Sequence, residues 1–118
     1  MKNLGFIGKL IFALPFVMFG VGHFTNANAM AGMVPSFLPA PVFWVYLTGL
    51  AHLLAVVAIV INKKAKLAAL LLGIMLLLFA FLIHFPGFID GDQMSTSSFL
   101  KDFALGGAAL FMSSTFKD

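Results

Sequence analysis

The sequence contains no cysteine. That absence excludes disulfides, thiolate nucleophiles, cysteine-ligated zinc, iron–sulfur clusters and c-type haem together. Redox chemistry on this chain would need a borrowed cofactor. Charge is scarce too: only 9% of the 118 residues are charged, all of them Lys or Asp, with no Arg and no Glu. An ordinary soluble domain carries about 25%. What the chain has instead is apolar surface, with 62% hydrophobic residues and a mean hydropathy of +1.09. A domain of this size has too high a ratio of surface to volume to hide so much from water. Lipid is therefore the solvent for most of its side chains. The net charge of +3 comes from lysines that fall in short segments between apolar runs. They form no basic face with interleaved aromatics, so nucleic acid is excluded as a partner.

Four apolar stretches define an all-α transmembrane four-helix bundle, with expected spans 4–24, 41–61, 67–85 and 98–116. The clearest run is Leu67 to Ile83, without one polar side chain. With His84 and Phe85 it approaches the roughly twenty residues that a bilayer core requires. The first stretch carries Lys9, which can snorkel to the interface, and Pro15, which a membrane helix tolerates when neighbours satisfy the freed carbonyl. The segment Thr25 to Ala40, with Pro35 and Pro39, is expected to lie at the outer interface as a short helix and a stiffened return. Pro41 suits the first turn of the second span. Pro86 to Ser98 reads as a polar turn, with Ser95, Thr96, Ser97 or Ser98 capping the last helix.

Orientation follows from the lysines. With four spans, Lys2, Lys9, Lys63, Lys64, Lys66 and Lys117 all fall on one side, so both termini are expected to be cytoplasmic. Lys2, Lys9, the run Leu10 to Val21 and Ala27-Asn28-Ala29 imitate a cleavable secretory signal. Because Lys9 splits its apolar region and the rest of the chain already inserts, the first helix is expected to be kept.

Ionisable groups at membrane depth are functional candidates by default. Five qualify: His23, His52, His84, Lys101 and Asp102, all toward the outer half. Val45, Thr48, Gly49, His52 and Ala55 share one helical stripe of small and polar residues, which turns His52 inward. Its depth, about 16 Å along the helix from Pro41, places it near the midplane. His23 and His84 could then meet near the outer surface, while His52 would reach them only if its helix begins above the headgroup level. No metal-ligand spacing such as H-x-x-x-H is present. Asp102 shares its face with Gly106 and is expected inside, where it could orient an imidazole and complete a proton path. Plainer readings stand beside each of these. His23 and His84 could simply meet helix C-termini, Thr48 could be a structural partner for His52, and Asp102 could favour a helix N-terminus while Lys101 reaches headgroups. Phe16, Phe19, Phe24, Phe81 and Phe85 surround the histidines in sequence, so the outer half could form an aromatic pocket for a flat lipophilic ligand such as a quinone ring. Trp44 and Tyr46 read as an interfacial belt.

The residues Phe19-Gly20-Val21-Gly22-His23-Phe24, Met30 through Val34-Pro35, Leu38-Pro39 and Tyr46-Leu47-Thr48-Gly49 with His52 carry a family resemblance. So do His84-Phe85-Pro86 and Phe99-Leu100-Lys101-Asp102 with Gly106-Gly107-Ala108. In order and spacing the chain resembles the DoxX family of small bacterial membrane proteins. That resemblance implies a four-helix bundle in the bacterial inner (plasma) membrane, contact with the quinone pool, and a place as membrane subunit of a redox or oxidative-stress complex. The family is similar to the membrane subunit of a thiosulfate:quinone oxidoreductase. Without cysteine, sulfur transfer by a persulfide on this chain is excluded. The expected function is a membrane subunit holding a quinone near the outer face, with another membrane or redox protein as partner. A b-type haem between His23 and His84 is the less favoured cofactor. The alternative from a different class is a non-catalytic scaffold or assembly factor that binds another membrane protein through Gly106, Gly107 and Ala108.

Overall fold

The structure, a computed structural model, describes residues 3–118. Lys2, counted above among the cytoplasmic lysines, lies outside them. Among the described residues the regular structure is all helical, with no strand. Helix α1 spans Leu4–Thr25, α2 is a single turn at Ala27–Met30 continued by a 3-10 turn at Ala31–Met33, and α3 spans Pro41–Ile61. Helix α4 covers Ala65–Phe79 and runs through a π-helical turn, Ala80–His84, into α5 at Phe85–Ile89; α6 covers Gln93–Thr115. Three helical segments are long and apolar enough to cross a membrane: Leu4–Thr25, Pro41–Ile61 and the combined Ala65–Ile89.

Pro41 occupies the first turn of α3, where its missing N–H costs nothing. Asn62 ends that helix with φ at 61°, a left-handed conformation that its short polar side chain tolerates. The segment after α1 forms a short helix, as expected, and Trp44 of α3 holds the returning part of this loop by donating its indole N–H to the Pro39 carbonyl at 2.7 Å.

The connection between the third rod and α6 differs from the expectation. Pro86 does not stop the helix. Instead the Phe85 N–H reaches five residues back to the Ala80 carbonyl, widening the turn just before the residue that lacks an N–H. The rod then continues to Ile89, and the polar turn shrinks from 86–98 to the few residues around Gly91, whose φ of 82° closes it. Helix α6 begins at Gln93, five residues earlier than 98, because Asp92 and not the Ser/Thr cluster caps it. The Asp92 carboxylate accepts the Ser95 N–H at 2.8 Å, and the Thr96 hydroxyl turns back onto the Asp92 carbonyl at 2.9 Å.

The rods pack as two tight pairs. In α1 and α3 the crossing point is Gly20 against Gly49, and a Cβ added to Gly49 would stand 3.0 Å from the Gly20 carbonyl oxygen and 2.7 Å from His23 Cβ. In α4 and α6 it is Gly73 against Gly106, where a Cβ on Gly73 would stand 3.0 Å from the Gly106 carbonyl oxygen. Lipid gives helices no hydrophobic reason to associate, so such close backbone approach is the main source of cohesion. The pairs join along α3 and α4, where Phe16, Ala55, Ile59, Ala69, Leu72 and Leu76 form the core. Large apolar side chains such as Met18, Ile11, Leu54 and Phe111 point outward. A soluble protein would expose such a belt to water at great cost; here it faces lipid tails.

One end of the molecule gathers lysines. Lys9 reaches the Val60 carbonyl at 3.5 Å, and Lys66 reaches the Ser113 carbonyl at 3.3 Å while the Ser113 hydroxyl donates to the Lys66 carbonyl at 2.8 Å. These contacts also establish that α1 runs antiparallel to α3, and α4 to α6. All three histidines and Asp102 lie toward the opposite end.

Two outcomes test this packing. Gly49→Ala should lower the stability of the detergent-solubilised protein by about 1–3 kcal/mol through overpacking. Gly107→Ala, with nothing within 4 Å of the new Cβ, should leave it unchanged or raise it by up to about 1 kcal/mol through helix propensity. Thermal unfolding of both variants distinguishes crossing glycines from incidental ones. At the α6 cap, bonds from the Ser95 hydroxyl and N–H hold the Asp92 carboxyl below its ordinary range. Its contribution is therefore present above the usual carboxylate range and lost as pH falls through the lowered value. Protection of the Ser95 and Thr96 amides, measured against their intrinsic exchange rates, should fall as the pH drops through that window, and should be low at every pH in Asp92→Ala.

Candidate functional site

The candidate residues converge at one end as two polar pairs. The first joins α1 to α3. His23 Nδ1 donates to the Phe19 carbonyl at 2.6 Å, and His52 Nδ1 donates to the Thr48 carbonyl at 2.8 Å. A carbonyl oxygen can only accept, so Nδ1 carries the proton in both rings. Each imidazole thus folds back along its own helix toward the residue four positions earlier. Because the helices are antiparallel, the two rings fold toward each other, and their centroids stand 5.0 Å apart.

Two sequence expectations are corrected here. His52 was placed near the midplane, too deep to reach another histidine unless its helix begins above the headgroup level; the glycine crossing and the fold-back bring it against His23. Its bond with Thr48 exists, but to the main-chain carbonyl. His52 is buried at 3% exposure between aromatic faces, with Phe16 stacked at 5.6 Å and Phe79 at 6.5 Å.

The second pair joins the third rod to α6. His84 Nε2 lies 3.3 Å from Asp102 Oδ2, and the Lys101 ammonium lies 3.9 Å from Asp102 Oδ1. Asp102 is inside, as its shared face with Gly106 predicts, at 6% exposure. Lys101 stays largely outside but bends over the Phe19 ring of α1, 5.1 Å from its centroid. It thereby links the two pairs across the bundle. His23 and His84 are held by different partners, the Phe19 carbonyl and the Asp102 carboxylate. No cluster of three or more potential metal ligands occurs among the described residues.

The aromatic pocket expected from five phenylalanines is divided. Phe16 and Phe19 flank His52, whereas Phe24 stacks on Tyr46 at 5.6 Å. Phe81 and Phe85 pack instead on Phe99, with centroids at 5.4 and 5.5 Å, where the third rod meets α6. The cavity at this end has a volume of about 190 Å³ and is roofed by the loop after α1. Its polar lining is Trp44, Thr48 and His84, set among apolar neighbours that include Met33, Phe79 and Ile83. Trp44 and Thr48 were not read as site residues. Trp44 was indistinguishable from an interfacial anchor, and Thr48 from a helix-packing residue. For the histidine pair a signal was present: Gly20-x-x-His23 and Gly49-x-x-His52 repeat the same spacing on two helices.

A family model described as a domain of unknown function, DUF8561, matches residues 12–95. The chain belongs to the DUF8561 family. The matched region of this DUF8561 protein holds His23, His52 and His84, while Lys101 and Asp102 lie beyond it. No curated protein and no solved structure matches the chain.

The His84–Asp102 pair has a measurable signature. Asp102→Ala leaves a half-buried imidazole N–H without its charged acceptor and should cost about 1.5–3 kcal/mol. Lys101→Ala, with a side chain 53% exposed, should cost under about 1 kcal/mol. In the double variant His84→Ala with Asp102→Ala the loss should be smaller than the sum of the singles, which a double-mutant cycle in detergent reads directly.

Proposed function

We propose that this chain is a DoxX-like, four-span protein of the bacterial inner membrane that serves as membrane subunit of a quinone-linked oxidoreductase or oxidative-stress complex. Both termini lie in the cytoplasm and the histidine end faces outward. The clustering of Lys9, Lys64 and Lys66 at one end supports that orientation, because loops rich in lysine stay on the cytoplasmic side. Helix α6 is the fourth span; Lys101 and Asp102 enter the bilayer there only as part of the polar network that neutralises them.

The observation that carries the reading is the loop-roofed cavity of about 190 Å³, with His84 in its wall and Asp102 directly behind that ring. Pockets for drug-sized ligands run to about 300–1,000 Å³. A smaller, apolar cavity beside one polar side chain suits a single flat ring whose lipid tail leaves into the bilayer. His84 is the group that meets the ring. Asp102 orients His84, Lys101 neutralises Asp102, and His52 with His23 supports the wall through Thr48 and Phe79. Electrons would be exchanged with a partner redox subunit. The quinone supplies the two-electron chemistry when bound; the chain positions it and handles its protons.

The competing reading is a non-catalytic membrane scaffold. Gly106 is not available for it, being spent on Leu77 and Gly73 inside the molecule, but Gly107 and Ala108 face outward. Protein purified in mild detergent decides between the two. Mass spectrometry of its organic extract should find about one redox lipid per chain, lost in His84→Ala and in His52→Ala while both variants remain inserted. An empty chain that pulls down one stoichiometric membrane protein regardless of the histidine changes would instead establish the scaffold.

A further inference from the structure

A cavity of about 360 Å³, larger than the loop-roofed one, lies between α3 and α4 and runs to the lysine end. Ala51, Ala55 and Ala58, spaced by four and three residues, put small side chains on one stripe of α3, and Ala68 joins their lining from α4. The two rods meet without filling the space between them. Leu54, Leu67 and Leu71 stand along this furrow, each more than half exposed. Lys64 lines one end of it, and Ala51 and Met75 lie at the other. At 1.5 Å per residue the run from Lys64 to Met75 is about 16 Å, close to half of a hydrocarbon core about 30 Å thick. The furrow therefore extends from the headgroup level to the middle of the bilayer, the depth of one leaflet.

Charge at the shallow end is one-sided. Lys9, Lys63, Lys64, Lys66 and Lys117 gather there against a single acid, Asp118. The Asp118 carboxylate accepts the main-chain N–H of Lys64 at 3.3 Å. Among the described residues no ammonium at this end lies within ion-pair distance of a carboxylate. Lys66 is turned onto the Ser113 and Phe116 carbonyls, which leaves the Lys63 and Lys64 ammoniums for the headgroup layer. We propose that the furrow holds one acyl chain of an anionic phospholipid, whose phosphate is met by Lys63 and Lys64. Basic pockets between membrane helices recognise anionic headgroups in this way. A helix of another protein is the poorer fit. Helices pack in lipid through small residues at the surface, and here the exposed leucines hold a rigid rod off the alanine floor. A flexible chain of methylenes lies between them.

Native mass spectrometry of the intact chain in mild detergent compares dioleoyl phosphatidylglycerol with dioleoyl phosphatidylcholine, which share their tails and differ in net charge. The anionic lipid should bind at least about tenfold more tightly, since each lysine near the membrane surface is worth about fivefold. Lys63→Gln combined with Lys64→Gln should bring the two lipids to within about threefold of each other. A phosphatidylglycerol with a diazirine in its tail locates the chain. Peptides covering 51–58 and 67–75 should take most of the label, and Ala58→Phe, which fills the floor, should lose it. The distribution of label on the unaltered chain decides the location even where the bulky variant fails to insert. Equal binding of the two lipids would overturn the proposal, as would label spread evenly over α1 and α6 as well.

Discussion

Everything at the histidine end depends on how closely two pairs of helix backbones approach. In lipid, side chains gain nothing by leaving the solvent, so helices hold together through close packing and through polar contacts that lipid cannot replace. Gly20 with Gly49, and Gly73 with Gly106, supply the packing. Each crossing lies about one helical turn from a polar pair. His23 and His52 each follow a crossing glycine by three residues, and Asp102 precedes Gly106 by four. Wider spacing between α1 and α3 would leave two imidazoles bonded to their own helices but out of reach of each other. Wider spacing between the third rod and α6 would strand a carboxylate in lipid.

Those polar groups are also paired with economy. Among the described residues no buried side-chain nitrogen or oxygen lacks a hydrogen-bond partner. At the lysine end the pairing is between side chains and carbonyls that the helix termini leave open, as with Lys66 and Ser113. At the histidine end the protons go to carbonyls within the helices and to one carboxylate. The first arrangement ties rods together; the second additionally determines the chemical face each imidazole presents.

Much of the fold was legible because its physics is local. The ends of α1 and α3 follow from apolar run length and from Pro41, and the inward turn of Asp102 follows from its helical spacing to Gly106. Misreadings arose where a local rule competed with another. Pro86 is a helix stop by the simple rule, but a π turn one residue earlier absorbs it. Asp92 outcompeted four hydroxyl residues for the cap because a charged acceptor bonds an N–H more strongly than a neutral one. The histidine partners were not legible from single-helix depth at all. Relative height depends on where two helices cross and which way the side chains lean, and neither quantity belongs to one helix.

The Lys101 contact with Phe19 has a mechanical side. Helices α1 and α6 are the outermost members of the two pairs, and they share no backbone crossing like those at the glycines. A groove containing Gly5, Gly8 and Ala108 runs between them toward the lysine end, and at the histidine end the seam is bridged by an ammonium 5.1 Å from one ring. Such a contact is worth about 0.5–1 kcal/mol when exposed, far less than prising apart either crossing. Stiffness is therefore unequal around the molecule: each pair moves as a plank, the α3–α4 side is the spine, and the α1–α6 seam is the compliant edge. By that ordering the α1–α6 seam opens before either crossing, like a book held at its binding, and the contact it parts at the histidine end is that of Lys101 with Phe19.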